Sequence, residues 1–154
     1  KHNMQAKLGL EETDNADMAL IMDTFSMLHE HRVDYTRFFR GISNLHRHGN
    51  APVRDLFADR SVADEWLERY EARLQKETRA HDEREYAMRQ VNPKYILRNY
   101  LAQQVIMEAQ NGDYAPMKEL LKVLENPFDE QPQFEHYAAL PPDWGKHLNI
   151  SCSS

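Results

Sequence analysis

The chain has 154 residues, with 25 acidic against 19 basic side chains and a net charge of −6. That balance argues against general binding to nucleic acid or anionic lipid, and a mean hydropathy of −0.80 with no apolar run near the ~20 residues of a bilayer span argues against a membrane protein. One cysteine excludes an internal disulfide framework and a thiolate zinc site, and five glycines leave too few for a phosphate-cradling loop beside ordinary turns.

Apolar residues recur at helical spacing through most of the chain. Met18, Ile21, Met22, Phe25 and Leu28 form the first such stripe, with Asp14 or Asn15 placed to cap it. Tyr35, Phe38, Phe39, Ile42 and Leu45 form the second, behind Asp34. Gly49 and Pro52 then break the pattern. Val53, Leu56 and Phe57 suggest a short element. Ser61 is placed to cap a long helix carrying Val62, Trp66, Leu67, Tyr70 and Leu74, which continues as a solvated polar extension over "KETRAHDEREYAMRQ". Asn92-Pro93 has the form of a helix start, opening a helix through Tyr95, Ile96, Leu97, Tyr100, Leu101, Val105 and Ile106 to a C-cap at Asn111-Gly112. Met117, Leu120, Leu121 and Leu124 mark the last helix, which stops before Pro127.

The fold class read from this pattern is all-α, an irregular bundle of five to six helices. The domain spans 1–125, and a Pro/aromatic-rich extended strap spans 126–154 with Phe128, Tyr137 and Trp144 as buried anchors. The expected core comprises Phe25, Leu28, Phe38, Phe39, Ile42, Trp66, Leu67, Ile96, Leu101, Leu120, Leu121 and Leu124. Lys1 in place of Met, followed by "KHNMQAKLGL", reads as the interior of a longer chain.

The histidines offer little chemistry. His29 with His31, and His46 with His48, are two residues apart and project to opposite sides of a helix. His81 and Glu85 sit at i,i+4 but lack a third ligand. The acid pairs Asp82-Glu83 and Asp129-Glu130 lie in polar sequence and read as solvated.

"RQVNPKYILRNYLAQQVIMEAQNGDYAPMKELLKVLENPFDEQP", "YAALPPDW" and the terminal "SCSS", with "KLGL" and "DYTRFFRGISNL" upstream, resemble the C-terminal part of the selenoprotein O family. The resemblance covers roughly residues 5 to 154 and implies a longer parent with a kinase-like fold, which transfers AMP from ATP to protein hydroxyl side chains with Mg or Mn. The family's phosphate-binding lysine, its glutamate partner, its catalytic aspartate and its metal-binding Asn and Asp lie upstream of the matched part. The resemblance therefore implies no catalytic, cofactor-binding or metal-binding residue in this chain, and the chain alone is expected to be inactive. The residues agree: no G-x-G, D-F-G or H-R-D occurs.

Cys152 stands third from the end, where some family members carry selenocysteine, and is the redox candidate, with a partner thiol implied in the catalytic domain. Asn92, Arg98, Asn99 and Gln103 are candidates for the interface to that domain. The implied partners are the N-terminal kinase-like domain of the same protein and the parent's protein substrates, with no nucleic acid and no membrane, in a bacterial cytoplasm. The alternative reading is an autonomous helical protein-interaction domain without a catalytic role.

Overall fold

The computed structural model describes residues 2–145. About 65% of them are helical and none is in a strand, the all-α class that the spacing predicts. The chain divides into two compact units, Lys1–Asn92 and Pro93–Ser154.

The first unit holds α1 (His2–Lys7), α2 (Asp17–Glu30), α3 (Tyr35–Ile42), α4 (Leu45–His48), α5 (Ala51–Arg54), α6 (Arg60–Leu74) and α7 (His81–Val91). The single-turn α4 and α5 flank Gly49, whose φ of +72° a side chain would strain. These short pieces raise the number of helices above the five or six expected.

Asp34 caps α3 as expected, accepting from the Arg37 amide at 2.9 Å. Asp59, rather than Ser61, caps α6, since its carboxylate accepts from the Ser61 amide at 2.9 Å. At α2 neither Asp14 nor Asn15 caps, because Ala16 holds that position. Asp14 instead closes a local turn onto the Ala16 amide at 2.8 Å. The expected polar extension of α6 is broken between Leu74 and His81. Beyond the break α7 buries Arg84, Glu85 and Met88, so a segment that looks polar on all sides has a core-facing stripe of long side chains.

The core of this unit joins Leu8, Leu20, Ile21, Leu28, Phe38, Phe39, Ile42, Val53, Trp66, Leu67, Tyr70 and Met88. Phe25 departs from expectation, being 39% exposed. α2 carries two apolar stripes, and the one facing the core is Leu20, Ile21, Met27 and Leu28.

The second unit holds α8 (Asn99–Gln110) and α9 (Ala115–Leu124). Asn92-Pro93 does not start α8. Residues 93–98 run without helix, and the Lys94 and Tyr95 amides donate to the Pro127 carbonyl at 2.8 and 3.2 Å. The Tyr95 hydroxyl donates to the Gln131 carbonyl at 3.0 Å and accepts from the Gln131 amide at 3.2 Å. Local propensity loses here to pairing with the turn after α9. Asn111-Gly112 ends α8 as expected: Gly112 takes φ +89° and the Asp113 amide reaches back to the Glu108 carbonyl at 2.9 Å.

Beyond α9 the described chain is wound rather than extended, with 3-10 turns over Pro132–Ala138 and Asp143–Gly145. Proline's fixed φ suits the first turn of a helix as well as an extended chain. Tyr137 is buried with Tyr95, Tyr100, Leu101, Val105, Leu120 and Val123. Its hydroxyl donates to Glu119 at 2.6 Å, and burial with that carboxylate beside it pushes its pKa up to about 12. Phe128, Ile96 and Leu124 are only partly buried. Trp144 is 55% exposed and Leu121 57% exposed, against expectation. On α9 the buried side is Leu120 and Val123, and Leu121 lies about 100° round from Leu120. Gly145 packs where an added Cβ would meet the Cβ of Tyr100 at 2.7 Å.

Candidate functional site

Asn92 lies at the end of the first unit and is wholly buried. Its side-chain amide donates to the Lys7 carbonyl and the Ser43 hydroxyl, both at 2.9 Å, and its oxygen accepts from Lys7 Nζ at 3.2 Å. Arg40 Nη1 donates to the Asn92 carbonyl at 2.9 Å and the Arg89 carbonyl at 3.1 Å. Lys7 Nζ also lies 5.4 Å from the Phe39 ring centroid and 5.7 Å from that of Tyr35, and burial lowers its pKa. Three segments, the ends of α1, α3 and α7, are thereby fastened at one residue. Asn92 is used up inside its own unit rather than presented to a neighbour.

Beside this junction, α4 meets α7. The buried Glu85 accepts from the His46 amide at 2.5 Å, while its other oxygen has no hydrogen bond among the described residues and lies 3.8 Å from Arg89 Nη1. The His46 and His81 rings stack at 4.8 Å. Arg84 approaches His81 Nδ1 at 2.7 Å; arginine only donates, which places the His81 proton on Nε2. These rings border a cleft of about 480 Å³ whose walls include Leu45, Leu74, Glu71, Glu77 and Arg79. Glu77 is neutralised by Arg73 at 2.8 Å and Arg79 by Glu11 at 2.7 Å. Glu77 and Arg79 are thus each held by an opposite charge at the cleft, which suits holding elements together.

The remaining sequence candidates fall in the second unit. Arg98 precedes the first turn of α8, half-buried and engaged. Asn99 and Gln103 are exposed one turn apart on the same helix. Arg98, Asn99 and Gln103 thus fall together at the opening of α8 in the second unit, whereas Asn92 belongs to the first. Cys152 lies outside the described residues. Sequence reasoning missed Lys7, Arg40 and the buried Arg73. Arg73 had a readable signal, because it continues the Trp66 and Tyr70 stripe at i+7 and i+3.

The described residues contain no cluster of three His, Cys, Asp or Glu side chains placed to hold a metal, and no helix long and apolar enough to cross a membrane.

A family model described as "Protein adenylyltransferase SelO" matches residues 1–125. The chain belongs to the SelO family. Among its curated relatives, the protein nucleotidyltransferase YdiU of Yersinia pseudotuberculosis is 49% identical over 152 residues, covering 98% of this chain and 32% of the relative. The YdiU proteins of Vibrio cholerae and Paraburkholderia xenovorans are 52% and 46% identical, each over 157 residues, covering 32% and 30% of their lengths. This SelO chain therefore spans about a third of the length of the relatives it matches.

Proposed function

We propose that this chain is the C-terminal helical part of a SelO-family protein adenylyltransferase, a structural and regulatory piece of an enzyme whose catalytic groups lie elsewhere in the same protein. The parent transfers AMP from ATP to hydroxyl side chains of protein substrates, with Mg or Mn bound in its kinase-like domain, in the bacterial cytoplasm. The observation that carries this reading is the pairing of near-complete coverage of this chain with about a third of each nucleotidyltransferase relative. ATP supplies the AMP group when bound upstream; the residues described here brace the domain. Arg98, Asn99 and Gln103, at the opening of α8, are the interface residues of this proposal, and Asn92 supports them only by holding its own unit together.

Removing residues 1–154 from the parent is expected to leave a catalytic part of low solubility and activity, with activity recovered when this chain is added back in trans. A truncated parent that is fully soluble and active would refute the structural role. Cys152 is proposed to pair with a catalytic-domain cysteine. Thiol alkylation at Cys152 should be fast in the reduced parent and blocked in the oxidised one, and equal rates would remove the redox role.

A further inference from the structure

α2 presents a second apolar face that its own unit does not use. Met18, Met22 and Phe25 are 46%, 58% and 39% exposed. They recur at i, i+4 and i+7, which keeps them within about 60° of one another around the helix. The Phe25 ring stacks on Tyr35 at 6.2 Å, and Tyr35 is itself 40% exposed. Phe25 and Tyr35 help to line an open cavity of about 610 Å³, with Leu28 and Val33 on its floor and Arg32 at its edge.

Arg32 is a second, independent oddity. The Val33 amide returns to the Leu28 carbonyl at 2.9 Å, the closing bond of a helix end that favours glycine at the residue between. Gly112 fills that place after α8, but Arg32 fills it after α2, with φ +51°. A left-handed arginine is strained where glycine would not be. Arg32 is exposed and has no ion-pair partner among the described residues. A strained, unneutralised cation thus sits on the rim of an apolar cavity, beside a stripe of methionines. Methionine, aromatic and arginine side chains are the types enriched in interfaces, and thioethers adapt to irregular partner surfaces.

We infer that the Met18–Met22–Phe25 face of α2, with the cavity rimmed by Arg32, is the docking surface for the part of the parent protein that lies outside this chain. That part contributes an apolar side chain to the cavity and an acidic one to Arg32. The inference rests on the reading of this chain as one part of a longer adenylyltransferase. The choice of occupant follows from length: about two-thirds of each relative lies outside the matched region, so the covering surface is available within the same polypeptide.

The test is oxidation of Met18 and Met22 by dilute hydrogen peroxide, followed by mass spectrometry of the α2 peptide, in this chain and in the full-length parent across a dilution series. Because thioether oxidation follows exposure, both methionines are expected to react about tenfold or more slowly in the parent, at every dilution. Equal rates in parent and chain would overturn the inference. Protection that disappears on dilution would also overturn it, since the occupant would then be a second copy. Met22→Glu, at the more exposed position (58%), should leave the melting temperature of this chain unchanged, yet raise Met18 oxidation in the parent to the rate of the chain. Met18 staying protected in that parent variant would count against the surface. The readout is exposure, not AMP transfer, so a parent that shields α2 but transfers no AMP would sink the activity reading and leave the docking surface standing.

Discussion

Replacing Arg73 by Met is expected to destabilise the chain by about 3–5 kcal/mol, the usual cost of stripping one partner from a buried ion pair. Arg73 and Asp17 are 6% and 1% exposed and meet at 2.6 Å. The same guanidinium holds Glu77 at 2.8 Å and the Glu12 carbonyl at 2.6 Å, while Glu77 accepts from the Glu11 amide at 3.0 Å. One side chain therefore pins the loop between α1 and α2 to the end of α6. Its loss leaves two carboxylates buried without a counter-charge. Urea denaturation followed by circular dichroism checks this, and a cost below about 1 kcal/mol, the range of exposed pairs, would contradict it.

The same site sets a pH dependence. Burial alone would raise the Asp17 carboxyl, but the Arg73 hydrogen bond, the Asp14 amide, the Arg73 charge and Gln5 together hold it below the usual carboxylate range. A depressed folded pKa gives stability that is present above the unfolded value of about 3.9 and lost as pH falls through the folded one. The wild-type chain should weaken as the pH drops below about 4, and Arg73→Met should flatten that acid limb.

Trp66→Ala carries an expected cost of about 3–5 kcal/mol. Trp66 is 1% exposed, its ring stacks on Tyr70 at 4.8 Å and meets the edge of Phe38 at 5.0 Å, and its indole N–H donates to the Thr24 hydroxyl at 2.9 Å. The substitution opens a cavity where α2, α3 and α6 converge. Trp66→Phe keeps an aromatic ring and forfeits the hydrogen bond, so about 1–2 kcal/mol is expected. Equal costs for the two variants would show that packing does not determine the loss.

The α-helical class was legible because helical periodicity survives in most of the chain. Phe38, Phe39, Trp66 and Leu101 lie in the core as their spacing indicates. Spacing misleads where a helix carries more than one apolar stripe. Phe25 on α2 and Leu121 on α9 fit the period but lie on faces turned from the core. Asn92-Pro93 shows the other limit. Its local chemistry suits a helix start, yet Asn92 closes the first unit through Lys7 and Ser43, contacts made between residues 85 and 49 positions apart. Arg98, Asn99 and Gln103 lie within six consecutive residues, so their placement together at the opening of α8 follows from the chain itself. The Arg73–Asp17 pair was hidden by the separation of 56 positions along the chain between its partners.

The most direct measurement is transfer of labelled AMP from ATP, with Mg or Mn, by the full-length parent and by this chain side by side. The full-length parent should label protein substrates, and this chain should label neither itself nor added protein above a heat-denatured control. Incorporation by the chain alone, or none by the full-length parent, would contradict the account.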